Sequence, residues 1–109
     1  MPVSTAERRS DVFRALSDPT RRAVYERLLA SEATVGEVQR GFNVSQPAIS
    51  QHLKALREAG LVTARRAGRE AHYRADPKGI APIVDWIAHY QTFWREHGEK
   101  LKAVLKEIE

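Results

Sequence analysis

Between residues 30 and 60 this chain carries helix start and stop signals set so close together that only a short helix, a tight turn and a second short helix fit between them. Thr34-Val35-Gly36-Glu37 reads as a capping box, in which the threonine hydroxyl and the glutamate side chain each satisfy an amide left free at a helix start. The helix it opens ends near Gly41. After the turn Gly41-Phe42-Asn43-Val44, Ser45 is a second N-cap, and Pro47 lies in the first turn, where a missing N–H costs nothing. Ile49, Leu53 and Leu56 then recur at helical spacing. Ala59-Gly60 closes the segment, because glycine enters the left-handed cap conformation cheaply.

The flanks are equally legible. A helix is expected from about Thr5 to Leu16 with Val12, Phe13 and Leu16 as its apolar stripe. Ser17-Asp18-Pro19 resets the chain for a second helix to about Ala30, with Ala23, Val24, Leu28 and Tyr25 on its core face. Leu61 to Arg66 and Glu70 to Arg74 read as strands of a β-hairpin turned at Ala67-Gly68-Arg69. Asp76-Pro77 announces a last helix over about 77–109. In it Ile80, Ile83, Ile87, Tyr90, Trp94, His97, Leu101, Val104 and Ile108 step by three and four alternately, the period of a helix packed on another helix. With Val84, Trp86, Phe93 and Leu105 beside it, this helix exceeds what a body of that size covers, so a second subunit is expected to share it. The chain of 109 residues is read as one domain, mainly α with a small β-hairpin: a winged helix-turn-helix.

Charge is unevenly placed within a net formal +4. From Arg40 to Ala75 seven basic residues face only Glu58 and Glu70, while the segments on either side are nearly balanced. With no cysteine, disulfides, thiol switches and thiolate metal sites are excluded. Met1-Pro2-Val3-Ser4-Thr5 runs into Glu7-Arg8-Arg9 without an apolar stretch, and no run approaches membrane-spanning length, so a cytoplasmic, membrane-free protein is expected. The histidines His52, His72, His89 and His97 are scattered, and no glycine-rich phosphate loop occurs, so an enzyme is not expected.

The residue chemistry suits a groove reader. If Ile49, Leu53 and Leu56 face the core, then Gln46, Pro47, Ser50, Gln51 and Lys54 occupy the outer, N-terminal face. Gln46 and Gln51 offer amides that match an adenine edge, Ser45 and Ser50 reach bases or phosphates, and Lys54 suits a phosphate. Arg65, Arg66 and Arg69 crowd the hairpin tip, where a wing follows the backbone or enters the minor groove. Arg21 and Arg22 read equally well as phosphate contacts or as ion-pair partners. A winged-helix protein-interaction module without DNA binding is the alternative; it would carry apolar or acidic residues on this face.

Leu16-Ser17-Asp18-Pro19-Thr20-Arg21-Arg22, Val44 to Lys54 as a block, and Ala59-Gly60-Leu61-Val62 together resemble the ArsR family of repressors. The resemblance implies a homodimer assembled through the first and last helices, bound to a partly palindromic operator in double-stranded DNA and released by an effector, here an unidentified small molecule. It places Phe13, Ile83, Ile87, Tyr90, Trp94, Leu101 and Val104 at the dimer interface. The family's metal sites do not carry over: Val35 to Arg40 lacks cysteine, Asp85-Trp86-Ile87 has isoleucine where a histidine belongs, and His97-Gly98-Glu99-Lys100 ends on lysine. No metal and no cofactor is therefore expected. Asp85, His89 and Glu96, on one face of a continuous helix, are the only looser set.

Overall fold

The computed structural model describes residues 4–108; Met1–Val3, where no signal stretch is expected, and Glu109, the end of the expected last helix, lie outside the described residues. Helix α1 (Thr5–Ser17) begins on Ser4, whose hydroxyl accepts the Glu7 N–H at 3.1 Å. Helix α2 (Pro19–Ala30) begins on Asp18, whose carboxylate accepts the Arg21 N–H at 3.0 Å, with Pro19 in the first position. The Arg22 guanidinium donates to the Leu16 carbonyl at 2.9 Å and so closes the corner between the two helices. That satisfies one of the carbonyls a helix end leaves free.

Strand β1 (Ala33–Thr34) leads into α3 (Val35–Gln39), and both halves of the expected capping box are present: Thr34 N–H to Glu37 at 3.0 Å and Glu37 N–H to Thr34 at 3.2 Å. The Gln39 side-chain amide then donates to the Val44 carbonyl at 3.3 Å, holding the turn into α4 (Gln46–Glu58). Strands β2 (Val62–Ala67) and β3 (Glu70–Ala75) form the hairpin, with Val62 opposite Ala75 and Ala67 opposite Glu70. Gly60 after α4 and Gly68 in the hairpin turn take φ of 81° and 67°, a region that costs other residues about 1–2 kcal/mol. The sheet has a third strand that alternation does not reveal, because β1 is only two residues long: it pairs antiparallel with β3, giving the order β1-β3-β2.

The core lies where α1, α2, α3 and α4 close over the base of the sheet. Ile49, Leu53, Leu56, Leu61, Val12, Val24 and Val38 are fully buried there, each aliphatic side chain stabilising the fold by roughly 1.5–3 kcal/mol relative to exposure. On α1 the buried pair is Val12 and Ala15. Phe13, expected on that stripe, instead stands outside it with its ring edge-on to Trp86 at 5.6 Å.

The expected single helix over about 77–109 is corrected by the structure. A 3₁₀ turn at Pro77–Ile80, capped by Asp76, leads into three helices in succession: α5 (Ala81–His89), α6 (Gln91–Glu96) and α7 (Gly98–Ile108). At Tyr90 (φ −98°, ψ 12°) the N–H bonds the Ile87 carbonyl at 3.0 Å, a local 3₁₀ tightening that bends the axis. At His97 (φ −112°, ψ 15°) the ring stacks on Phe93 and its Nδ1 lies 3.0 Å from the Phe93 carbonyl oxygen. Gly98 follows, a poor helix residue by about 1 kcal/mol. The three-four step of apolar residues survives these breaks, but the straight seam does not.

Candidate nucleic-acid interface

The reading helix is oriented by its own amphipathic pattern. Ile49, Leu53 and Leu56 are fully buried on one side of α4, which leaves Ser45, Gln46, Pro47, Ser50, Gln51 and Lys54 exposed together at its N-terminal end and along its outer face. Ser45 caps the helix by accepting the Ala48 N–H at 3.2 Å. Its hydroxyl therefore has a structural task, whereas the side-chain amides of Gln46 and Gln51 have no hydrogen-bond partner among the described residues. Short polar side chains at the start of a capped helix are what base edges in a major groove can receive.

Arg65, Arg66 and Arg69 all lie exposed on the hairpin, but they are not equivalent. Arg65 is opposite His72 in the ladder. Its guanidinium is held by the Glu32 carboxylate through two bonds, at 3.1 and 2.6 Å. The His72 Nδ1 lies 3.9 Å from the same carboxylate. The hydrogen bond from Arg65 holds the Glu32 carboxyl below its usual range, and Glu32 in turn raises the guanidinium. Arg66 and Arg69 form no ion pair among the described residues. Glu32 was invisible to sequence reasoning, since it reaches Arg65 only because β1 joins the far edge of β3.

The other expected clusters are placed as follows. Ile87, Tyr90, Trp94, Leu101 and Val104 are exposed, as are Trp86, Phe93, Leu105 and Ile108, while Ile83 is half-buried against the core. Helix α1 packs on α5, where Phe13 meets Trp86, Trp86 meets Tyr90 at 5.3 Å, and the Arg9 guanidinium stands 6.0 Å over the Trp86 ring. Helices α1 and α5 thus share an open apolar face. Asp85 and His89 line a common groove, but Glu96 belongs to α6, beyond the break at Tyr90. Among the described residues no three His, Asp or Glu side chains are grouped so as to hold a metal ion.

A capped helix with a polar outer face, a preceding short helix across a tight turn, and an arginine-bearing hairpin define a winged helix-turn-helix regulator. A helix-turn-helix domain family matches residues 16–65. The chain is 46% identical to an HTH-type transcriptional regulator of Mycobacterium tuberculosis over 83% of its own length and 84% of that protein's. It is 36% identical to the arsenical resistance operon repressor of Escherichia coli, covering 89% of this chain and 81% of the repressor. Among solved structures it resembles an ArsR-like transcriptional regulator from Rhodococcus, with a TM-score of 0.75 at 29% identity over 94% of this chain and 96% of that one. It also resembles a possible transcriptional regulator for arsenical resistance, with a TM-score of 0.68 at 41% identity over 85% of this chain and 94% of that one. The chain belongs to the ArsR family of winged helix-turn-helix transcriptional regulators.

Proposed function

We propose that the protein is a homodimeric repressor that reads a partly palindromic operator with the N-terminal face of α4. The observation that carries this reading is the exposed cluster of Ser45, Gln46, Pro47, Ser50, Gln51 and Lys54 above the buried Ile49, Leu53 and Leu56. Gln46 and Gln51 recognise base edges, Ser50 and Lys54 take bases or phosphates, and Arg66 and Arg69 meet the backbone from the wing. Arg65 contributes chiefly by tying β2 to Glu32, which sets the angle at which the wing leaves the body. The relatives' names support repression: they include the Escherichia coli repressor above and the transcriptional repressor SdpR of Bacillus subtilis.

Dimerisation is supported by the open apolar face of α1 and α5 together with the exposed apolar residues of α6 and α7, which a second copy covers by two-fold symmetry. Two linked reading helices then engage two half-sites, multiplying affinity without a new contact. The effector is a molecule other than a thiophilic metal, since the chain has no cysteine. No described helix is long and apolar enough to cross a membrane, which fits a protein acting on DNA in the cytoplasm. The protein-interaction alternative is not favoured, because the outer face of α4 is neither apolar nor acidic.

Selection of bound fragments from a random double-stranded DNA pool by the purified protein tests the reading: two half-sites about one helical turn apart are expected. On the selected operator, Gln51→Ala removes about 1–3 kcal/mol and relaxes preference at one position in each half-site. Arg69→Ala instead weakens binding to every sequence alike. A protein that enriches no sequence overturns the proposal.

A further inference from the structure

Two buried side-chain nitrogens among the described residues lack a hydrogen-bond partner, Arg21 Nε and His52 Nδ1, and both belong to residues lining one cleft. The cleft, about 530 Å³, runs between the N-terminal turn of α2 and the side of α4, and Gln51, Lys54 and Glu58 also line it. A buried polar atom without a partner costs about 1–3 kcal/mol, so two on residues lining one cleft call for a reason. The carboxylates around the cleft satisfy neither nitrogen. Glu58 lines the same cleft and Asp11 an adjoining one, yet Arg21 forms no ion pair with either. Asp18 accepts the Arg21 backbone N–H rather than its guanidinium.

A helix seated in a major groove is bordered on both sides by phosphate strands. Helix α3 packs along one side of α4 and α2 along another. The cleft between α2 and α4 opens beside Gln51 and Lys54, at the edge of the proposed reading face. Arg21 and Lys54 line it with Glu58, the Asp18 carboxylate lies close enough to feel both Arg21 and His52, and a guanidinium fork matches a phosphodiester in a way an ammonium does not.

We propose that Arg21, with His52 and Lys54, seats a phosphodiester of the DNA strand bordering the reading helix on its α2 side. The proposal rests on the DNA-binding reading above and adds to it a phosphate seat at the edge of the reading face, apart from the wing. Arg21 supplies the charge and His52 lines the seat beside it, while Lys54 bridges the seat to the reading face.

The test uses full-length protein and the operator selected by wild type. Affinity is measured over a series of salt concentrations for wild type, Arg21→Gln and Arg21→Lys, alongside phosphate-ethylation interference. Arg21→Gln is expected to bind every sequence about tenfold more weakly and to lower the salt slope by about one unit per protomer. Ethylation of one phosphate flanking the Gln51 contact blocks wild type and ceases to matter for the variant. Arg21→Lys keeps the slope and loses affinity several-fold. A purely structural Arg21 would lower the melting temperature and leave slope and interference pattern at wild-type values, and that result overturns the proposal. Should Arg21→Gln lose its cooperative melt, His52→Gln carries the same test, with loss of the interference signal at the same phosphate expected and its persistence refuting. Wild type that selects no DNA refutes the underlying reading instead, a result distinct from a bound operator with an unchanged variant slope.

Discussion

Adding one methyl group at Gly79 is expected to be among the most damaging small changes in this chain. Gly79 lies in the 3₁₀ turn between β3 and α5, and its backbone passes against the corner that follows α4. A Cβ there would fall well inside contact with the Gly60 carbonyl oxygen and 2.8 Å from the Gly60 carbonyl carbon and the Leu61 Cα. Unstrained carbon contacts begin at about 3.5 Å, so relief requires a shift approaching 1 Å. The three nearest atoms are all backbone, so no flexible side chain can turn aside. The corner cannot yield easily either: Gly60 holds its positive φ, Leu61 is fully buried, and the Leu61 N–H bonds the Leu56 carbonyl at 2.9 Å. The 3₁₀ turn must move outward, straining the bond from the Asp76 N–H to the Leu61 carbonyl, also 2.9 Å. Overpacking of this kind costs about 1–3 kcal/mol and a weakened hydrogen bond about 1 more. Gly79→Ala should therefore lose about 3 kcal/mol, a fall in melting temperature of roughly 10–20 °C for a domain of this size. Circular dichroism melts and urea titrations measure it, with Gly36→Ala as the control: a Cβ at Gly36, inside α3, meets nothing within 4 Å. That control should be neutral or stabilising by up to about 1 kcal/mol. Gly79→Ala melting within two or three degrees of wild type, on the order of experimental scatter, would refute the reasoning.

Trp94→Glu or Leu101→Glu, each placing a charge on the open apolar face, is expected to give monomers by light scattering and to weaken operator binding; wild type that is monomeric at micromolar concentration removes the basis for this. The carboxyls of Asp18 and Glu37 are held low chiefly by backbone N–H groups, and that of Glu32 by the Arg65 guanidinium. A carboxylate with a lowered folded-state pKa stabilises fully above its ordinary value of about 4 and loses that contribution as pH falls through the folded value. Urea midpoints should accordingly drop in acid, and Glu32→Gln or Glu37→Gln should flatten the drop; unaltered slopes would contradict it. Zinc, nickel, cobalt or copper at low micromolar concentration is expected to leave operator affinity unchanged, and a tenfold shift, about 1.4 kcal/mol, would implicate Asp85 and His89.

The sequence by itself determined the elements whose signals are local. Caps at Asp18, Thr34, Ser45 and Asp76, the glycines at 60 and 68, and the helical recurrence of Ile49, Leu53 and Leu56 each act over a turn or two, so the helix-turn-helix, its hairpin and the face α4 turns outward could be read before any packing was known. Three features were decided only by tertiary structure. Strand β1 is two residues long and exists because β3 presents it a free edge. Glu32 engages Arg65 across 33 positions of sequence, a pairing that follows from that added strand. The last helix, continuous by its apolar period, breaks at Tyr90 and His97 because period records which side chains share a face and not whether the backbone stays straight. Gly98 offers a local reason for the second break, whereas nothing in the sequence around Tyr90 announces the first. The proposed phosphate seat belongs to the same class: Arg21 and His52 are 31 positions apart, and only the packing of α2 on α4 sets both into one cleft, where Arg21 Nε and His52 Nδ1 find no partner among the described residues.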